Sequence, residues 1–100
     1  MGAIEDIAAE RQRQIAIEGW AVEHDDGHTD GALAQAAAAY AIHSSRLVGG
    51  LAMPLCWPWH ASWWKPGEPR QDLIKAGALI VAEIERLDRA AAAGKLKRRR

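Results

Sequence analysis

His24 and His28 stand four residues apart with Asp25 and Asp26 between them, and Glu18 lies just upstream across Gly19. Imidazole and carboxylate ligate first-row transition ions, or magnesium where carboxylates dominate. A divalent Mg, Mn or Zn ion held by Glu18, His24, Asp25, Asp26 and His28 would offset their charge and bridge to phosphate oxygens. The alternative is a solvated acidic loop whose aspartates make Asx turns and cap the following helix. A second group comprises Trp57-Pro58-Trp59-His60 and Trp63-Trp64-Lys65-Pro66. Indole faces stack nucleobases, and Lys65, Arg70 and Lys75 are the cations nearest to hold a phosphate. They sit at the start of a helix, whose N-terminus favours anions. The ligand set expected from these segments is Arg11, Glu18, Trp20, Trp57, Trp59, Trp63, Trp64, Lys65, Arg70 and Lys75.

Three helices and one long connection must position these groups. The first is expected over Ala3 to Glu18, with Ile4, Ile7, Ala8, Arg11, Ile15 and Glu18 on one stripe and Gly19 closing its end. Arg11 and Glu18 interrupt that stripe, so they lie at the core's rim or line a polar site within it. Residues 20–29 read as a polar loop, with Thr29 or Asp30 capping a second helix that starts near Gly31. This helix is Ala-rich, and Leu33, Tyr40 and Leu47 share a face with Ala36 and Ala37 between them. Residues 48–68 form a Trp/Pro-rich loop, opened by Gly49-Gly50. The third helix starts at Pro69 and runs to about Ala93. Leu73, Gly77, Ile80, Ile84, Leu87 and Ala91 keep heptad spacing on it, and Ile74, Leu79 and Val81 widen the apolar face. Asp72 in its first turn and Arg86 and Arg89 in its last turns complement the helix dipole.

The expected fold is therefore all-α, a three-helix domain over residues 1–94 with a basic tail over residues 95–100. The chain has 100 residues, and 49% are apolar, yet Ala supplies 21 of them and Phe none. Small side chains bury little area, so the core needs close helix contact or a second chain, and homo-oligomerisation is expected. The same deficit makes at least two of the four connection tryptophans structural.

Net charge is zero, but five of the last six residues are basic, which leaves residues 1–94 with eight Lys/Arg against 13 Asp/Glu. No Lys or Arg falls between Arg13 and Arg46. A phosphate in that region needs a metal ion, or a site on the far side near Arg11 and Lys65 to Lys75. A long nucleic acid is not the expected partner, because the basic tail lacks interleaved aromatics. No apolar run reaches membrane-spanning length. The first residues lack the apolar stretch of a signal peptide, and a single cysteine, Cys56, fits a reducing cytosol, where it reads as a structural thiol. Gly-rich phosphate loops, zinc-finger spacing and helix-turn-helix patterns are absent from the sequence.

Glu10-Arg11-Gln12-Arg13-Gln14-Ile15, Glu18-Gly19-Trp20, Glu23-His24-Asp25-Asp26, His28 and Tyr40-Ala41 together resemble a group of small proteins of tailed phages and prophages. Trp57-Pro58-Trp59, Trp63-Trp64-Lys65-Pro66, Pro69-Arg70, residues 72–80 and residues 82–89 carry the same resemblance. His60 departs from it, since the group has Asp after Trp-Pro-Trp. The resemblance implies a phage accessory protein acting in the cytoplasm of a bacterial host, opposing host defence by sequestering a nucleotide signal or blocking a defence protein. A fainter similarity is to MazG-type all-α nucleotide pyrophosphohydrolases, which hold magnesium between acidic motifs on adjacent helices. Glu18 with Asp25, Asp26 or Asp30 would be the matching carboxylates, without the regular Glu-x-x-Glu spacing.

Three functions follow as expectations. The first is a non-enzymatic nucleotide binder. The second is a metal-dependent nucleotide phosphohydrolase, with a carboxylate or His24 as base. The third is a protein inhibitor anchored by tryptophan.

Overall fold

The computed structural model describes residues 2–19, 22–46 and 52–98. Trp20 and Leu47 lie outside them. The described chain is all-helical, with α1 (Ala3–Ala16), α2 (Val22–Asp26), α3 (Ala32–Ser45), a 3-10 turn (Ala61–Trp63) and α4 (Pro69–Arg98). No helix among the described residues is long and apolar enough to cross a membrane.

The helix ends follow local chemistry. Glu5 and Asp6 stand in the first turn of α1, at the positive end of its dipole. α1 closes at Ala16, two residues short of the expected Glu18, and Gly19 turns the chain with φ +73°. Gly31 enters α3 at φ +83°, a conformation open to glycine, while the Asp30 carboxylate accepts the Ala32 amide at 3.1 Å. α3 ends on Arg46 in the left-handed region.

Two expectations are corrected here. Residues 20–29 are not all loop, because Val22–Asp26 forms a short helix. The last helix runs to Arg98 rather than Ala93, since three alanines follow Ala90 and Gly94 does not break it. Arg86 and Arg89 are therefore mid-helix, and their partners are carboxylates rather than the C-terminal dipole: Glu83 for Arg86 and Asp26 for Arg89.

α4 is the central element, packed by α3 along one side, by α1 along another and by α2 near its middle. Thirty residues make it about 45 Å long, which accounts for the molecule's 52 Å long axis. Leu33, Ala36, Ala37, Ala39 and Tyr40 of α3 meet Ala76, Leu79 and Ala82 of α4. Alanine at these contacts lets the helices approach closely. Trp57 is buried in this core, with Trp59, Trp64 and Cys56 packed against it. Two of the four connection tryptophans, Trp57 and Trp64, thus supply the volume that alanine does not. Gly77 marks the α1 crossing, where a Cβ would stand 2.8 Å from Ile7 Cδ1.

A buried polar joint ties the connection to the helices. Asp72 is fully buried. Its Oδ2 accepts from His43 Nδ1 at 2.6 Å and its Oδ1 from the Gly67 amide at 2.7 Å. Arg46 donates to the Gly67 carbonyl at 3.1 Å and stands 3.6 Å from Asp72 Oδ2. Asp72 therefore joins α3, the loop end and α4, beyond the dipole role read from sequence.

Candidate ligand site

The acidic turn and the indole-rich connection meet. A cavity of about 420 Å³ is lined by Glu18, His24, His28, Trp59, His60 and Trp63. Such a volume lies within the range of small-molecule pockets. Its walls come from the α1–α2 turn, from α2 and its exit, and from the 3-10 turn with the residues before it.

Each wall is held from below. On one side, Asp25 turns away from solvent and its Oδ2 accepts from Arg11 Nη2 at 2.7 Å. Arg11 Nε reaches Glu85 of α4 at 3.3 Å. Asp26 turns the other way, to Arg89 of α4 at 2.8 Å. Consecutive carboxylates of α2 are thus gripped by guanidinium groups of two different helices. On the opposite wall, the buried Trp57 indole donates to the His60 carbonyl at 3.2 Å. Tyr40 stacks on Trp64 at 4.7 Å between ring centres, and its hydroxyl accepts the Lys65 amide at 3.3 Å. These contacts fix the 3-10 turn between Trp57 and Lys65, which presents Trp59, His60 and Trp63.

The two walls touch through aromatic rings. His28 lies 5.3 Å from Trp59 and 4.7 Å from His24, ring centre to ring centre. His24 and His28 bring their Nε2 atoms to 3.4 Å. Two nitrogens bound to one tetrahedral ion at their usual lengths stand about 3.4 Å apart as well. Burial first, and the neighbouring imidazole second, hold the His28 pKa below its usual 6.5. The ring is therefore neutral near pH 7, and one nitrogen keeps its lone pair. His60 differs. Its Nδ1 accepts the Ser62 amide at 3.1 Å, so the neutral ring carries its proton on Nε2 and serves as a donor rather than a metal ligand.

The expected site residues separate accordingly. Glu18, Trp59 and Trp63 come together with His24 and His28. Asp25 and Asp26 do not line the cavity; Arg11 holds Oδ2 of the first and Arg89 holds Oδ1 of the second. Arg11 is buried beneath α2 and is not available to a ligand. Trp57 and Trp64 belong to the core. Glu18 accepts from Arg13 at 3.2 Å and lies 3.5 Å from Lys65, so its carboxylate is shared between two cations. Lys65 also stands 5.6 Å above the Trp63 ring. Lys75 donates to the Lys65 carbonyl and lies over the Tyr40 ring at 5.4 Å, and burial lowers its pKa. Arg70 pairs with Asp6 at 2.6 Å. His60 completes the cavity although the reading of the sequence did not place it among the ligand residues. Its signal was present in Trp-Pro-Trp-His, an imidazole directly after two indoles.

Among the described residues, no group of three or more His, Cys, Asp or Glu is arranged to hold a metal ion. No protein-family model, curated protein or solved structure matches this chain.

Proposed function

We propose that this chain is a non-enzymatic binder that takes a nucleotide-type ligand between the His24–His28 pair and the Trp59–Trp63 turn, as a phage accessory protein acting against host defence. The observation that carries the reading is the shared cavity, lined by two indoles, three imidazoles and one carboxylate. A base slides against an indole face with little sequence preference, gaining about 1–3 kcal/mol per stacked ring. The Nε2–H of His60 supplies a donor for a carbonyl or phosphate oxygen. The Glu18 carboxylate accepts from an exocyclic amine. Lys65, half-exposed beside Trp63, is the cation nearest to a phosphate. The reading as a phage counter-defence protein rests on the sequence resemblance alone.

Calorimetry against a panel of mono- and cyclic nucleotides tests the reading. Micromolar binding that weakens at least tenfold in Trp63→Ala and in His60→Ala supports it. Absence of binding by the parent chain at millimolar nucleotide ends it.

The His24–His28 spacing favours a second reading, in which a divalent ion on the two imidazoles assists phosphate binding or hydrolysis. Titration with zinc or manganese alone, followed by the imidazole NMR signals, separates the two. Saturable shifts of His24 and His28 together would favour the metal reading. A hydrolase would also release phosphate with the ion present.

A further inference from the structure

α4 carries a second, apolar feature on the side away from its core. Leu73, Gly77, Ile80, Ile84, Leu87 and Ala91 succeed one another at alternating steps of four and three. This spacing keeps side chains on one line when two helices wind together. Residues Ala76, Leu79 and Ala82 of the same helix are already buried in the core. Ile7 of α1 covers Gly77, but the large residues of the line stay open, with Leu73 at 52%, Ile80 at 49%, Ile84 at 51% and Leu87 at 51% exposure. Beside it, α1 and α4 form an open groove of about 430 Å³, with Ile4, Ile7 and Val81 among its walls. Together these side chains expose roughly 500 Å² of apolar surface, at the upper end of single patches on monomers. Two copies facing each other would remove about 1,000 Å², the threshold of a specific interface.

We propose that a second copy of this chain covers this seam, with the two α4 helices antiparallel. Side-chain size selects the orientation. In the antiparallel pairing, Leu73 of one copy faces Ala91 of the other, Leu87 faces the Ile7 side chain that sits over Gly77, and Ile80 faces Ile84. The outer layer then joins a large residue to a small one, and the central layer joins two of equal size. The parallel pairing instead stacks Leu73 on Leu73 and Ala91 on Ala91, crowding one end and leaving a void at the other. Charge agrees. Parallel helices set Glu83 of each copy against Asp88 of the other, a repulsion made twice. The antiparallel pair makes one acidic contact, Glu83 to Glu83, and Arg86 already holds each of these carboxylates at 2.7 Å.

Sedimentation equilibrium on the full chain tests the proposal, with a dimer of the 10.9 kDa chain expected at about 100 µM. Ile80→Asp with Ile84→Asp should return the monomer and retain helical circular dichroism, because both positions are half-exposed. A parent chain that stays monomeric at that concentration overturns the proposal, and so does a dimer indifferent to the two aspartates. Orientation is read in a Cys56→Ser background. An oxidised mixture of Leu73→Cys and Ala91→Cys chains should form the mixed disulfide. Leu73→Cys alone should not cross-link, since its two copies would lie about 27 Å apart. Cross-linking of Leu73→Cys alone overturns the antiparallel arrangement.

Discussion

Arg11 on α1 holds Asp25 on α2 at 2.7 Å, and both side chains are closed to solvent. Two charges removed from water cost several kcal/mol each unless matched, so either one left alone is strongly destabilising. Asp25→Ala should lower unfolding free energy by about 3–5 kcal/mol in a urea titration. Asp25→Asn should cost less, because the amide keeps an acceptor for Arg11. Equal losses in the two variants would mean that Arg11 requires the carboxylate's charge and not merely an acceptor.

The His43–Asp72 joint makes a parallel case. Asp72→Ala removes an acceptor from His43 and from the Gly67 amide, both within 2.7 Å. A loss of about 2–4 kcal/mol is expected from two unmatched donors, one of them an imidazole. The loop end should loosen too, seen as faster hydrogen exchange of the Gly67 amide.

The tryptophans should divide by role. Trp57→Ala empties a core position and should cost about 3–5 kcal/mol. Trp63→Ala changes a half-exposed ring and should shift stability by less than about 1 kcal/mol while weakening the ligand. If Trp63→Ala unfolds the chain, its assignment to the cavity rather than the core is wrong.

Gly77→Ala pits two effects against each other. Alanine gains about 1 kcal/mol in a helix interior, whereas its Cβ would meet Ile7 Cδ1 at 2.8 Å and Ile7 Cγ1 at 3.1 Å. Overpacking by one carbon costs about 1–3 kcal/mol, so a net loss is expected. In an Ile7→Val background the nearest atom is gone, and the same substitution should become neutral or stabilising. A double-mutant cycle by thermal unfolding measures the coupling.

Acid should weaken the chain through His28. Its folded pKa lies below 6.5, mainly through burial. Below pH 6.5 the unfolded chain takes up this proton while the folded chain resists it, so stability falls as pH falls through that window. His28→Gln should flatten the pH dependence of the unfolding midpoint between pH 6.5 and the folded pKa.

Periodicity and punctuation made α1, α3 and α4 legible in the sequence. Pro69, Gly31 and the alanine run mark ends and interiors by backbone chemistry that needs no tertiary context. α2 escaped notice because Glu-His-Asp-Asp has the composition of a loop, and its helicity comes from Arg11 and Arg89 elsewhere in the chain. The polar break in the α1 stripe was informative, since Arg11 does form a buried polar contact beneath the cavity. Asp72 misled, because a carboxylate in a first turn reads as a dipole partner whether or not an imidazole waits 29 residues away. His60 was passed over because its tautomer depends on Ser62, which sequence spacing alone does not reveal.

A helix of five residues has no stability of its own in water. α2 persists because Arg11 and Arg89 seize adjacent aspartates from opposite directions. The distance between the two imidazoles is thus a property of the assembled chain. A synthetic fragment spanning residues 18–30 should lack it, and grafting those residues onto another scaffold would transplant the letters without the geometry.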